Sequence, residues 1–260
     1  TRSAMNPRTS RATVERERLS APRAAIESYR AALRRKPAPE LLDPLLELYE
    51  QEELWDELVQ GLEERAGFAR SRPEKAALTQ RAARVLDERL RRPDDAVQAW
   101  NRALDLVPDP AAFEALQALC ERTKDDRRLA DALAREVEAL AQEDGVAQGE
   151  RLVARALRGA ELYVALELPA RAQALLEAAL ARDPRARAAF EGLERLFVDK
   201  KEPARLYELL ERFAAHAPSA DEQAALQERM ARLAEDELTS AQDARTHWEQ
   251  VLKLRPGDPA

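Results

Sequence analysis

Apolar residues recur along this chain at intervals of three, four and seven positions, with charged residues between them. This is the pattern of amphipathic α-helices, which bury one face and expose the other. Two such stretches, at 41–50 and 54–66, are separated by a short polar bend, and the stretches at 112–122 and 129–140 have the same layout. Each pair of stretches therefore predicts a helical hairpin, in which two helices pack antiparallel through their apolar faces.

The hairpins recur at a regular distance. Residues 12–37 align without a gap with residues 83–108, and further copies of the same pattern lie at 231–256 and 166–184. Helix-breaking residues divide the chain into units of 34 to 39 residues. These residues are Pro37, Pro73, Pro108, Gly145, Pro184, Pro218 and Pro256. Since each unit holds two amphipathic stretches, each unit is predicted to be one hairpin, and two kinds of hairpin alternate along the chain.

The second helix of one kind of hairpin resembles that of the tetratricopeptide repeat family. Ala96, Trp100, Ala103 and Pro108 have the family's spacing of a small residue, an aromatic residue, a second small residue and a closing proline. The same slots recur in three other hairpins, at Ala25, Tyr29, Ala32 and Pro37, at Ala172, Leu176, Ala179 and Pro184, and at Ala244, Trp248, Val251 and Pro256. Because the large residue fills the gap to the next hairpin, Trp100 and Trp248 are predicted to be core residues.

The resemblance covers roughly residues 12–260 and implies the fold. It implies an all-α protein of the α-α superhelix type, in which antiparallel helical hairpins stack into a right-handed solenoid. We expect a single array of about six to seven hairpins over residues 12–260, and a flexible basic segment or an expression remnant over residues 1–11. Ala12 already lies inside a hairpin and no polar capping helix is evident at the other end, so we expect either that the array is a fragment of a longer one or that a partner covers its terminus.

The charge of the chain disfavours several classes of partner. The formal net charge is −7, and the first 23 residues contribute +4, which leaves −11 for the remainder. A body this acidic is a poor match for nucleic-acid phosphates, and no run of about 18 apolar residues predicts insertion into a membrane. With no basic-then-apolar leader at the start, the sequence favours the cytoplasm, and a periplasmic location is the alternative if a leader has been removed.

The residues that most often carry catalysis are isolated here. His216 and His247 fall on different helices, and neither has a second ligand at metal-binding spacing. Cys120 is the only cysteine and occupies the slot that Tyr49 and Phe197 fill in sister hairpins, which predicts a core position. No glycine-rich phosphate loop is present. We therefore expect no metal, no cofactor and no enzymatic activity.

One row of residues on the first helices is a candidate binding surface. In the tetratricopeptide family, first-helix residues line the concave groove, and the sixth position of the repeat corresponds here to Arg81, Arg158 and Arg229. Nearby turns add further arginines, which are Arg84, Arg155 and Arg232. Guanidinium groups bind carboxylates bidentately, so this row is a candidate binding site for acidic side chains or a C-terminal carboxylate. The family's carboxylate clamp also uses Lys and Asn, which are missing here, and the alternative is that an Arg-rich composition places arginine on any exposed face.

The leading functional hypothesis is a non-catalytic scaffold or adaptor that binds a protein or peptide partner, and an acidic partner is the one that the arginine row would suit. The resemblance implies a groove for such a partner, although a fold alone does not fix a function. The alternative hypothesis is a regulatory module that senses a ligand or peptide and controls an attached effector domain. RNA binding is disfavoured because the acidic body lacks basic stripes and exposed aromatic residues.

Overall fold

The computed structural model describes residues 22–35 and 38–255, so the segment 1–11 and the beginning of the first predicted hairpin lie outside the described residues. Within the described ranges the chain forms thirteen α-helices and no strand. The helices are α1 (22–35), α2 (Pro39–Gln51), α3 (Trp55–Gly67), α4 (Arg72–Glu88), α5 (Pro93–Leu106), α6 (Pro110–Thr123), α7 (Asp126–Leu140), α8 (Val146–Ala165), α9 (Pro169–Arg182), α10 (Arg187–Asp199), α11 (Pro203–Ala214), α12 (Ala220–Asp236) and α13 (Ala241–Leu254).

The helices follow one another as first and second members of hairpins, which confirms the all-α fold class. Even-numbered helices are the first members and odd-numbered helices from α3 onward are the second members, with α1 in the place of a second helix. Short connections between consecutive helices favour antiparallel packing. Proline begins α5, α9 and α11, where its missing N–H has no intrahelical partner to lose. Pro73 was predicted to separate two hairpins but lies in the first turn of α4, for the same reason.

The two kinds of hairpin differ in the length of the first helix. The first helices α4, α8 and α12 have 17, 20 and 17 residues, whereas α2, α6 and α10 have 13, 14 and 13. Each turn between a first and a second helix contains one non-glycine residue with a positive φ of 51° to 58°, and these are Glu53, Arg91, Lys124, Glu167, Lys201 and Thr239. Such left-handed residues end helices because they redirect the chain while the last carbonyls stay hydrogen-bonded.

Hydrogen bonds across these turns account for the extra residue in two of them. In the shorter turn the amide of Leu54 donates to the carbonyl of Tyr49, five residues back. After α4, the amide of Arg92 donates to the carbonyl of Leu86, six residues back, and α12 is followed by the same arrangement. The turn after α8 lacks the added residue, since the amide of Leu168 donates to the carbonyl of Tyr163, five residues back, so the longer turn is confined to α4 and α12.

The chain divides into two compact units, residues 1–123 and 124–260. In the first unit, Ala96, Trp100 and Ala103 are buried as the spacing predicted, and the ring of Trp100 is only 2% exposed. In the second unit, Ala172, Leu176 and Ala179 fill the equivalent slots and are also buried. These small side chains allow helices to approach closely, so the alanine spacing does determine where the helices pack.

Trp248 departs from this pattern because it is only partly buried, although its slot predicted a core residue. Its indole Nε1–H donates to the carboxylate of Glu235 at 3.1 Å, which places the edge of the ring at the surface. Trp55 is likewise partly buried and packs against the core of the first unit. Among the described residues, no helix is both long enough and apolar enough to cross a bilayer.

Candidate functional site

Two of the candidate arginines occupy equivalent places on first helices of the longer kind. Arg81 lies on α4 and donates from Nη2 to Oε2 of Glu50 on α2, at 2.5 Å. Arg229 lies on α12 and forms an ion pair with Glu194 on α10. Each pair therefore joins a first helix to the first helix of the preceding hairpin. Both arginine side chains remain about two-fifths exposed, at 39% and 43%, so a partner can reach them.

The guanidinium of Arg229 is partly desolvated by its surroundings. Burial lowers the pKa of the Arg229 guanidinium below its usual range. An arginine still stays protonated at neutral pH, because its unperturbed pKa lies so far above 7. The charge available to a ligand at this position is therefore constant across the physiological pH range.

Arg155 forms an ion pair with a buried carboxylate. Glu136 on α7 is 2% exposed and lies between Arg151 and Arg155 of α8, with a shortest ion-pair distance of 2.6 Å to Arg151 Nη2. Arg155 Nε lies 3.1 Å from the second carboxylate oxygen, but its N–H is not aligned on that oxygen as a hydrogen bond. This cluster links two consecutive helices of the second unit, so Arg155 has a structural role that competes with partner binding.

The remaining candidates lie on the same first helices with partners of their own. Arg84 is exposed, and its guanidinium lies over the ring of Trp100 at 5.9 Å from the centroid. Arg232 donates to Glu228 one turn earlier on α12, at 2.5 Å. Arg158 is exposed on α8 and also takes part in an interaction. All six arginines lie on first helices, and each of them already interacts with a group of the protein itself.

The sequence offered no signal for most of these partners. Glu50 precedes Arg81 by 31 residues and comes close only because consecutive first helices lie side by side. Glu136 is the exception, because it follows Leu129 by seven positions and Leu133 by three, which places a carboxylate on the apolar face of α7. A charged residue at such a position predicts a buried ion pair, since an unpaired buried charge is costly.

The residues with catalytic potential stay apart in the described part of the chain. Cys120 is fully buried, as its register predicted, and His216 is exposed after the end of α11. His247 lies between Gln227 and Tyr207. Its Nδ1 is 2.5 Å from the side-chain oxygen of Gln227, and its Nε2 is 2.5 Å from the hydroxyl of Tyr207. Because the Gln227 oxygen only accepts, Nδ1 carries the proton and the Tyr207 hydroxyl donates to Nε2.

Burial lowers the pKa of His247 and raises the pKa of Tyr207, so both groups are held in their neutral forms at pH 7. Among the described residues, no group of three or more His, Cys, Asp or Glu side chains has the arrangement of a metal site. The hydrogen bonds of His247 connect α11, α12 and α13, so this histidine serves packing between hairpins.

Comparison with known proteins finds similar chains among solved structures only. No protein-family model and no curated protein matches the sequence. YrrB, described as a TPR protein with an unusual peptide-binding site, is 13% identical, and the alignment covers 70% of this chain and 88% of YrrB with a TM-score of 0.33. A tetratricopeptide repeat protein from Parabacteroides merdae is 17% identical over 94% of this chain and 96% of its own, with a TM-score of 0.35.

The TPR2AB domain of yeast Sti1, solved in a pHSP90 complex, is a third solved structure similar to this chain. It is 13% identical, and the alignment covers 88% of this chain and 90% of that domain with a TM-score of 0.32. All three are tetratricopeptide repeat proteins.

Proposed function

We propose that this chain is a non-catalytic scaffold that binds an acidic protein or peptide through the face of its first helices. The observation that carries the proposal is that Arg81 and Arg229, at equivalent positions, each bind a carboxylate while about two-fifths of the arginine side chain stays exposed. A guanidinium that donates hydrogen bonds to a carboxylate of a neighbouring helix has the geometry to donate them to a carboxylate of a partner.

Exchange of one carboxylate for another costs little at these sites. Exposed ion pairs contribute only about 0.2–1 kcal/mol to stability, because water and salt screen them. A partner with several suitably spaced carboxylates therefore displaces Glu50 and Glu194 from the arginines at a small cost in free energy. A partner with a single carboxylate gains almost no binding free energy from the exchange. Affinity is expected to come from several arginines of the first helices acting together.

The test begins with the identity of the partner. The intact chain is immobilised, a bound partner is crosslinked and identified by mass spectrometry, and the purified pair is then titrated. The variant with Arg81→Glu, Arg158→Glu and Arg229→Glu is expected to bind at least about tenfold more weakly, since each reversal both removes an attraction and adds a repulsion. Binding of the wild type is expected to weaken as salt rises.

A matched control separates this face from general charge effects. Arg102, Arg212 and Arg245 are exposed arginines on the second helices α5, α11 and α13. Reversing these three changes the net charge by the same amount, and we expect it to alter affinity less than twofold. Equal losses in the two triple variants, or unchanged affinity in the first, would refute the assignment of binding to the first-helix face.

A further inference from the structure

Helix α8 differs from its two equivalents at its beginning. It starts twelve residues before Arg158, whereas α4 and α12 each start nine residues before their matching arginines. Helices α4 and α12 begin after the capping residues Ser71 and Ser219, whose hydroxyls accept hydrogen bonds from backbone amides of the first helical turn. In α8 an additional turn begins after Gly145, which has a φ of 134°. The added turn exposes Val146, whose exposed fraction of 81% is high for an apolar side chain.

The apolar side chains on this side of α8 are also larger than those of its equivalents. Val146, Val153 and Leu157 are separated by seven and four positions, so they lie along one face of the helix. At the place of Leu157, α4 has Gln80 and α12 has Glu228. Because the other two first helices of this kind fold with a polar residue there, the hairpin fold does not itself require leucine.

These side chains line a groove of about 810 Å³ between α8 and the end of α9. Arg182 closes one end, and its Nη2 donates to the carbonyl of Gly145 at 2.6 Å. A Cβ at Gly149 would lie 2.9 Å from Arg182 Nε, so glycine at this position makes room for the arginine across the first turn. The one basic side chain of the groove is therefore engaged with the backbone.

Acidic side chains outnumber the one basic side chain around the groove, so its net charge is negative. Glu150 lines the groove, and Glu143 and Asp144 precede the first turn of α8. All three are exposed, and the described residues supply none of them with an ion pair. Asp183, the second acid of the lining, accepts a hydrogen bond from the amide of Arg185. An occupant that suits this site combines apolar side chains with a positive charge.

We propose that the α8 groove binds a short segment of a partner protein that carries apolar residues next to lysine or arginine. The distance along the helix from Val146 to Leu157 is about 16 Å at 1.5 Å per residue, the length of about five residues of extended peptide. The proposal rests on the scaffold function but uses a surface separate from Arg81 and Arg229. The protein thus has two surfaces of opposite preference, one for acidic and one for basic segments.

The test uses three labelled ten-residue peptides and the full chain. The first alternates leucine and lysine, the second replaces each lysine with glutamate, and the third replaces each leucine with serine. Fluorescence anisotropy is expected to show binding of the first peptide and at least tenfold weaker binding of the other two. The double variant Val146→Ser and Leu157→Gln is expected to weaken binding of the first peptide at least fivefold, and α4 has glutamine at the place of Leu157. Because Leu157 also packs against the core of the second unit, the single variant Val146→Ser is measured beside it and is expected to weaken binding as well.

Two controls keep the result specific. Val198 on α10 is 56% exposed and lies outside the groove lining, so Val198→Ser is expected to leave the affinity unchanged. Arg81→Gln with Arg229→Gln is also expected to leave it unchanged, so failure of this proposal and failure of the scaffold proposal are distinguishable. Equal binding of the lysine and glutamate peptides, no binding of the lysine peptide, or wild-type affinity in the double variant overturns the proposal. A dimer in sedimentation that Val146→Ser dissociates also overturns it, because the occupant is then a second copy.

Discussion

Removal of the buried carboxylate of Glu136 is the most direct test of how the second unit is held together. Glu136→Ala leaves Arg151 and Arg155 facing each other without the acid between them. Breaking a fully buried ion pair costs about 3–5 kcal/mol. The two arginine side chains are 29% and 24% exposed, so water recovers part of that loss, and we expect the opening free energy of α7 and α8 to fall by about 2–3 kcal/mol.

Hydrogen exchange followed by mass spectrometry measures this effect locally, without assuming that the whole chain unfolds in one step. A loss of 2–3 kcal/mol corresponds to exchange that is about 30- to 150-fold faster at the amides of α7 and α8. Glu63→Ala is the matched control, since Glu63 pairs with Arg102 at 3.0 Å but both side chains are half exposed. We expect the control to change exchange in α3 and α5 less than about threefold. An increase in α7 and α8 no greater than that of the control would refute the reasoning.

Three further predictions concern backbone, core and pH. Lys201→Gly is expected to raise the free energy of unfolding by about 0.5–1 kcal/mol in urea titrations, because glycine adopts the positive φ of 56° without steric cost, and an unchanged or lower value contradicts this. Trp100→Ala is expected to cost about 3–5 kcal/mol by the same measurement, and Trp248→Ala clearly less, since only the former is fully buried. The lowered pKa of His247 means that its neutral form contributes stability above the unfolded pKa of about 6.5. That contribution is lost as pH falls through the lower folded pKa. His247→Gln is expected to remove this part of the pH dependence of the free energy of unfolding. An unaltered pH dependence in the variant would contradict the assignment.

The sequence predicts the hairpins because their signals are local. Apolar spacing places each helix, and the small slots such as Ala96 and Ala103 are buried where the family spacing predicts. The order of the hairpins and the position of the turns follow from the same spacing. The left-handed turn residues were not predicted, because none of them is glycine and a lysine or glutamate gives no sign of a positive φ.

The candidate site was predictable only in part, for a physical reason. Arg81 and Arg229 lie on first helices as expected, because helix periodicity decides which face a residue occupies. Their carboxylate partners come from a different hairpin, so the pairing depends on how neighbouring helices dock. The groove beside α8 was missed because Val146 follows a predicted break at Gly145 and gives no sign of an added helical turn.

Hairpins that repeat within one chain provide an internal comparison for each position. Arg81 and Arg229 recur and bind the preceding first helix, so cohesion between hairpins accounts for their recurrence, and a binding role requires that partner carboxylates compete with internal ones. The added turn of α8 and Leu157 do not recur, and the hairpins α4–α5 and α12–α13 pack without them. Packing therefore accounts for the arginine pairs, and in part for Val153 and Leu157, which contact the core, but not for the exposed Val146 of the added turn. If both surfaces bind, variants of α8 should alter partner choice with little loss of stability, whereas variants of the arginine row should alter both.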